Sequence, residues 1–223
     1  MSISDLIAKF LVFNKIDTAF IYPGGTIAPL INSFIKYKIK IEVFKSEQGA
    51  GYAALAKARI TNKAQIFMVT SGPGLTNALT PLSDAFFDST PLILIAGQIG
   101  TSDLIKRKKV RQRGFQETNT VEITKAISKQ SICLKNKKTA LQDFISAFKL
   151  TTLNRHGPVV IDFPSDIQRE ITKINYNKIL KFNTTKIKKE TYSKITLNKF
   201  NKINKLISKA KKPVLLLGQG AIH

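Results

Sequence analysis

This sequence predicts an α/β fold, a doubly wound and mostly parallel sheet with helices on both faces, and three observations predict it. Short runs rich in Val, Ile, Leu and Phe alternate with longer segments whose apolar residues recur at helical spacing. The runs QIFMV, LILIAG and VVIDF are apolar almost throughout, which is the pattern of strands covered on both faces rather than one. Several of these runs stop at Gly/Pro turns, YPGG and SGPG among them, that lead into the next helical segment.

Each element can be justified in chain order. MSISDLIAKFLVF reads as an amphipathic first helix with Leu6, Ile7, Phe10 and Leu11 on one face. It lacks the basic start and small-residue cleavage site of a secretory signal. DTAFIYPGG (17–25) is a strand stopped by Pro23-Gly24-Gly25, and TIAPLINSFIKY (26–37) follows as a helix. Ile41 to Phe44 is a short strand, after which Gly49-Ala50-Gly51 opens an alanine-rich helix whose small residues allow close packing. QIFMVTSGPG (65–74) is a strand ending in a Gly-Pro-Gly turn, and LTNALTPLSDAFFDS (75–89) reads as one helix. PLILIAGQ (91–98) is a fully apolar strand, and SICLK places Cys133 as a buried strand residue rather than a nucleophile. TALQDFISAFKLTTL (139–153) carries Leu141, Phe144, Ile145 and Phe148 at helical spacing, and GPVVIDFP (157–164) closes the pattern as another buried strand.

Residues 172–194 then break it with Lys, Asn and Thr and few aligned apolar positions, which reads as a linker. The expected organisation is therefore a domain over 1–171, a linker over 172–194, and the truncated start of a second α/β domain over 195–223. In that last part 196–210 is a helix with Phe200, Ile203, Ile207 and Ala210 on one face, and KPVLLLGQG is a strand running into a Gly-rich turn. Some 30 residues of this kind cannot bury a core of their own.

The composition narrows the functional classes. At 43% hydrophobic residues with no apolar run of ~18, a soluble protein with no membrane span is expected. A single cysteine allows no internal disulfide and fits a reducing compartment, cytoplasmic or an organellar matrix or stroma. Lys and Arg total 36 against 14 Asp and Glu, a net charge of +22. Such an excess can mark a nucleic-acid binder. Here the lysines are scattered over every segment, so a chain-wide bias is the better reading and a nucleic-acid partner is not expected. The one tight cluster, KRKKVRQR from Lys106 to Arg113, suits an anionic ligand or partner as well as it suits a solvated face.

Candidate chemistry collects at strand ends, where open α/β sheets place their ligand crevices. Glu47, in the stretch FKSEQGAGYAALAKARI, sits between a strand and a helix. On its residues alone it suits either a functional carboxylate in that crevice or a first-turn acid favoured by the helix dipole. The segments YPGG, SEQGAG, TSGPGLTN and AGQ bring four strand ends to the same edge.

The ordered set FIYPGG, SEQGAGYAA, VTSGPGLTNALTPLSDAFFDSTPLILIAGQ, GFQETNTVEITK and RHGPVVIDFPSDIQ resembles the N-terminal, pyrimidine-binding domain of the thiamine-diphosphate-dependent enzymes, closest to the acetolactate synthase large subunit. The similarity runs over about residues 1–170, and 212–220 resembles the start of the family's FAD-type central domain. The resemblance implies that Glu47 exchanges a proton with the cofactor's pyrimidine ring, helping that ring take the proton from the thiazolium carbon. The cofactor then attacks a 2-keto acid such as pyruvate and serves as electron sink for decarboxylation and carboligation, of the kind used in branched-chain amino acid biosynthesis. It further implies that Thr70, Pro73 and Asn77 line the pyrimidine pocket and that Tyr22, Pro23, Gly24 and Gly25 form the loop beside the reacting carbon, Gly25 toward the substrate. Gln98, Phe115 and Gln116 match residues facing the substrate side across a dimer interface.

Two departures qualify the resemblance. Ser46 stands where the family often has His before the glutamate, and the chain between Gln98 and Phe115 is longer than in typical acetolactate synthases, by the stretch that holds the basic cluster. The longer loop resembles that of thiamine-diphosphate relatives in sugar and polysaccharide pathways, so a fragment of such an enzyme is one alternative function. The family's diphosphate-binding domain, with its metal motif, has no counterpart here, so Mg²⁺ and FAD are expected only with further domains and no metal ligand is assigned within this chain. Activity would then need a homodimer or another protein supplying the diphosphate domain. The alternative is a non-catalytic remnant or interaction module that pairs with a full-length relative.

Overall fold

The computed structural model describes residues 1–104, 112–173 and 196–218. Six strands, β1 (Thr18–Ile21), β2 (Lys40–Val43), β3 (Gln65–Val69), β4 (Leu92–Gln98), β5 (Gln130–Cys133) and β6 (Val159–Pro164), form one sheet in the order β2-β1-β3-β4-β6-β5. Every pairing is parallel. The chain moves outward from β1 to β2 and then back past β1 to β3, so the winding direction reverses between β1 and β3. That reversal opens a crevice at the carboxyl edge of the sheet.

Strict alternation along the strands builds two cores. Ile66 and Met68 of β3 and Ile93 and Ile95 of β4 face one side, where they pack with Leu6, Ile7, Phe10 and Leu11 of α1 (Ile3–Phe13), Leu30 and Phe34 of α2 (Ala28–Lys36) and Phe144 of a later helix. Phe67 and Val69 of β3 and Leu92, Leu94 and Ala96 of β4 face the other side, against Ala50, Ala54 and Leu55 of α3 (Glu47–Thr61) and Leu75 and Leu82 beyond it. Both faces are apolar because both are covered, which is why these strands read as continuous hydrophobic runs.

The expected helix over 75–89 is two helices, α4 (Pro73–Asn77) and α5 (Leu79–Phe87), separated at Ala78. Gly72 precedes α4 with φ 60° and ψ −120°, a backbone region that side chains with a Cβ avoid, and Pro73 supplies the first helical φ. Two short helices that the sequence pattern left unmarked, α6 (Thr120–Thr124) and α8 (Ser165–Arg169), flank the longer α7 (Ala140–Leu150). Cys133 lies on edge strand β5 and is half-buried rather than buried, because β5 has a neighbour on one side only.

The start and end of this unit are fastened together. Ser2 and Ile171 form an antiparallel bridge, Ile3 N–H donates to Glu170 O at 3.0 Å, and Thr172 N–H donates to Met1 O at 3.0 Å. Farther on, α9 (Leu197–Lys209) forms as the spacing predicts, but every residue from 196 to 218 is exposed. The strand expected at KPVLLLG is not formed in the described residues, for want of a neighbouring strand to take its backbone hydrogen bonds. Most of the basic cluster (106–111), most of the expected linker (174–194) and the residues 219–220 of the Gly-rich turn lie outside the described residues.

Candidate functional site

Glu47 is the first residue of α3, placed there by an N-cap that the motif reading passed over. Ser46 is extended, and its Oγ accepts from Gly49 N–H at 3.1 Å. A serine in this position satisfies one of the orphan amides of the first turn, which a histidine there would do less readily. The cap directs the Glu47 side chain inward, and the residue is only 7% exposed despite its charge.

Its partner comes from the next strand end. Asn77, the last residue of α4, donates from Nδ2 to Glu47 Oε2 at 3.1 Å. Among the described residues no donor reaches Oε1, which lies 3.5 Å from where a Cβ on Gly74 would stand. A carboxylate that is nearly dry, held by one amide and left with acceptor capacity facing a glycine suits a nitrogen heterocycle able to share a proton with it. This is the observation on which the pyrimidine half of thiamine diphosphate fits the residues present.

The loop after β1 completes the crevice. Gly24 packs against Thr70 so closely that a Cβ there would overlap it, and Thr26 Oγ1 lies 2.8 Å from Thr70 Oγ1 while also accepting from Ser71 N–H at 3.2 Å. Thr26 was not among the sequence candidates; it follows the YPGG turn directly and ties the β1 loop to the β3 loop. Tyr22 and Pro23 are exposed beside it, and Gly25 begins a short 3₁₀ turn leading into α2.

The remaining candidates divide. Gln116, in a left-handed conformation (φ 55°), packs on the Gly72 turn, where a Cβ on Gly72 would come 2.8 Å from its own. Phe115 points outward, 80% exposed. Gln98 is 1% exposed and directs its amide away from Glu47, to Asp162 at 3.3 Å and to Thr118 O at 2.9 Å. Gln98 and Asp162 border a cavity of about 710 Å³ together with Thr118, Ile132, Cys133 and Lys135, and Glu47 is not part of its wall. A further cavity of about 550 Å³ is bordered by Arg59 and Asp88 and also excludes Glu47.

Burial pushes the Asp162 carboxyl up to about 6, with hydrogen bonds from Cys133, Thr120 and Gln98 partly opposing it. Burial, with the Asp162 charge beside it, likewise drives the Cys133 thiol far above its usual range, so it holds its proton and is no nucleophile. Among the described residues no group of three or more His, Cys, Asp or Glu side chains could hold a metal ion, and no helix is long and apolar enough to cross a membrane.

Comparison with known proteins accords with this geometry. Residues 1–123 match the family described as thiamine pyrophosphate enzyme, N-terminal TPP binding domain. The chain is 34% identical over 213 residues to the mitochondrial acetolactate synthase catalytic subunit of Saccharomyces cerevisiae, covering 94% of this chain and 30% of that protein. It is 35% identical over 210 residues to the acetolactate synthase large subunit of Corynebacterium glutamicum, covering 92% and 32% respectively. Among solved structures, a thiamine diphosphate-dependent 4-hydroxybenzoylformate decarboxylase from Rhodococcus jostii RHA1 superposes with a TM-score of 0.80 at 18% identity, over 98% of this chain and 40% of that one, a likeness of fold. The chain spans about a third of the length of the curated relatives it matches.

Proposed function

This chain belongs to the thiamine pyrophosphate enzymes, whose N-terminal TPP-binding domain it carries, and on that premise we propose that its Glu47 crevice takes the pyrimidine half of thiamine diphosphate in an acetolactate-synthase-like reaction. The single observation that carries the reading is the Glu47 carboxylate: 7% exposed, fixed by Asn77 Nδ2 at 3.1 Å, and with Oε1 left to a ligand. When bound, the cofactor supplies the electron sink that lets a 2-keto acid such as pyruvate lose CO₂ and join an acceptor.

The chain's own residues contribute the rest. Glu47 holds or releases a proton at the ring nitrogen it faces. Asn77 keeps that carboxylate pointed at the ring rather than at bulk water. Gly74 and Pro73, at the amino end of α4, let the ring approach backbone closely, and Thr70 with Thr26 holds the β1 loop against it. Tyr22 to Gly25, the exposed Phe115 and the half-buried Gln116 lie on the side where substrate would enter. Residues 1–171 are the working domain in this reading, and residues 195–223 begin a second one.

The place of the crevice at the carboxyl edge of the sheet, with Tyr22, Pro23 and Phe115 exposed beside it, supports an arrangement in which another polypeptide or another copy packs there and brings the diphosphate-binding half, Mg²⁺ and, with a complete central domain, FAD. Co-purification with a thiamine-diphosphate-domain polypeptide, followed by an assay of pyruvate consumption, tests this. Glu47→Gln should keep the complex intact and lower turnover at least ~100-fold, the usual scale of a lost acid-base group. Turnover indifferent to Glu47→Gln would overturn the reading.

A further inference from the structure

We propose that Asp162 is a positioning residue for the Glu47 crevice, acting through Gln98 and the 114–119 segment on the Gly72 turn; the role assigned to the crevice rests on the function proposed above. Asp162 stands in the carboxyl half of β6, two strands beyond β3, and touches none of the residues expected to meet the cofactor. Its carboxylate is 4% exposed and accepts from Thr120 Oγ1 at 2.9 Å and from Gln98 Nε2 at 3.3 and 3.4 Å.

The Gln98 amide can take one orientation only. Its nitrogen faces two acceptors, the Asp162 carboxylate and Thr118 O, and its oxygen accepts from Ile99 N–H at 3.1 Å. A flip would set oxygen against oxygen on one side and N–H against N–H on the other. An ionised Asp162 therefore fixes Gln98, and Gln98 fixes Thr118. From Thr118 the contacts run on to the site. Thr118 Oγ1 donates to Gln116 O at 3.3 Å, and Gln116 sits over Gly72, with its carbonyl oxygen 3.0 Å from where a Cβ on Gly72 would be. Gly72 launches α4, and α4 ends in the Asn77 amide that holds Glu47.

The path thus links residues 162 and 47 by contiguous side-chain and backbone contacts, and the coupling stands if both ends of it switch together when Asp162 is protonated. The charged or titratable groups around Asp162 are Cys133 on β5, Lys135 after it, and Glu117 and Glu122 at the cavity wall, with Asp166 of α8 acting on Cys133. Of these, the thiol stays neutral, and burial places the titration of Asp162 itself near pH 6. Protonation there would weaken the bond that fastens Gln98.

The test is a pH titration of the full chain, without ligand, followed by NMR at the amides of Ile99 and Gly72. Both signals should move with one midpoint near pH 6. Asp162→Asn should remove that transition from both; Gln98→Leu should remove it from Gly72. Thr120→Val, which deletes a different partner of Asp162 and leaves Gln98 in place, should leave the Gly72 transition present. A Gly72 signal that stays flat while Ile99 titrates, or that keeps its transition in Asp162→Asn, overturns the proposal. Because wild type alone gives the first answer, a variant that fails to fold does not shield it. A complex active without Glu47 would sink the functional reading and leave this coupling standing, whereas a flat Gly72 signal would do the reverse.

Discussion

Asp162 and Gly72 show what single residues hold in tension here. The Asp162 carboxyl has its folded pKa raised to about 6 from an ordinary value of 3.8, chiefly by burial. The folded state therefore binds the extra proton between those values. The stability it contributes is complete below about pH 4 and is lost as pH rises through 6. Relative to Asp162→Asn, the wild-type domain should be more stable at pH 5 than at pH 7.5 by about 1 kcal/mol, read from urea midpoints at the two pH values. Gly72 is held by geometry instead of charge. At φ 60° a side chain is strained, and a Cβ there also meets Gln116 Cβ at 2.8 Å, so Gly72→Ala should cost about 2–4 kcal/mol in the same measurement.

At the scale of elements, α3 and α5 approach each other across Gly51. A methyl there would overlap Pro81 and come 3.1 Å from Phe67 Cε2. In an exposed helix Gly→Ala gains about 1 kcal/mol; here Gly51→Ala should instead destabilise by about 1–3 kcal/mol, because packing outweighs propensity. Thermal unfolding of that variant decides the sign. The same scale shows what the sequence disclosed. Strands β3, β4 and β6 were plain from their apolar runs, and α1 and α7 from residues such as Phe10 and Phe144 at helical spacing, because burial imposes those periods directly. The break at Ala78 was not, since LTNALTPLSDAFF keeps helical spacing across it and only the Gly72-Pro73 start sets α4 apart. Nor was the place of β6 between β4 and β5. The pairing of Gln98 with Asp162, 64 residues apart, depends on that placement and has no local signature. Glu47 could be singled out from its strand-end position, but its partner Asn77 came only with the family motif. Thr26, a turn residue with an ordinary look, came with neither.

Taken whole, the molecule divides its apolar surface unevenly. Most large apolar side chains among the described residues up to 173 are buried in two cores, while Leu197, Phe200, Leu206 and Val214 to Leu217 lie bare. Ending the chain after Lys173 should therefore leave the urea midpoint of the first unit unchanged and reduce self-association, measured by sedimentation; a lowered midpoint would mean that the removed stretch packs on that unit. The fastening of residues 1–3 to 170–172 has a mechanical consequence as well. Two antiparallel segments whose free ends leave side by side part by peeling, one hydrogen bond at a time, rather than by shear. Any chain joined ahead of Met1 or beyond Lys173 pulls at that one corner, so a tether there would strain the seam first and leave the six parallel strands, with Glu47 at their edge, in register until it gives.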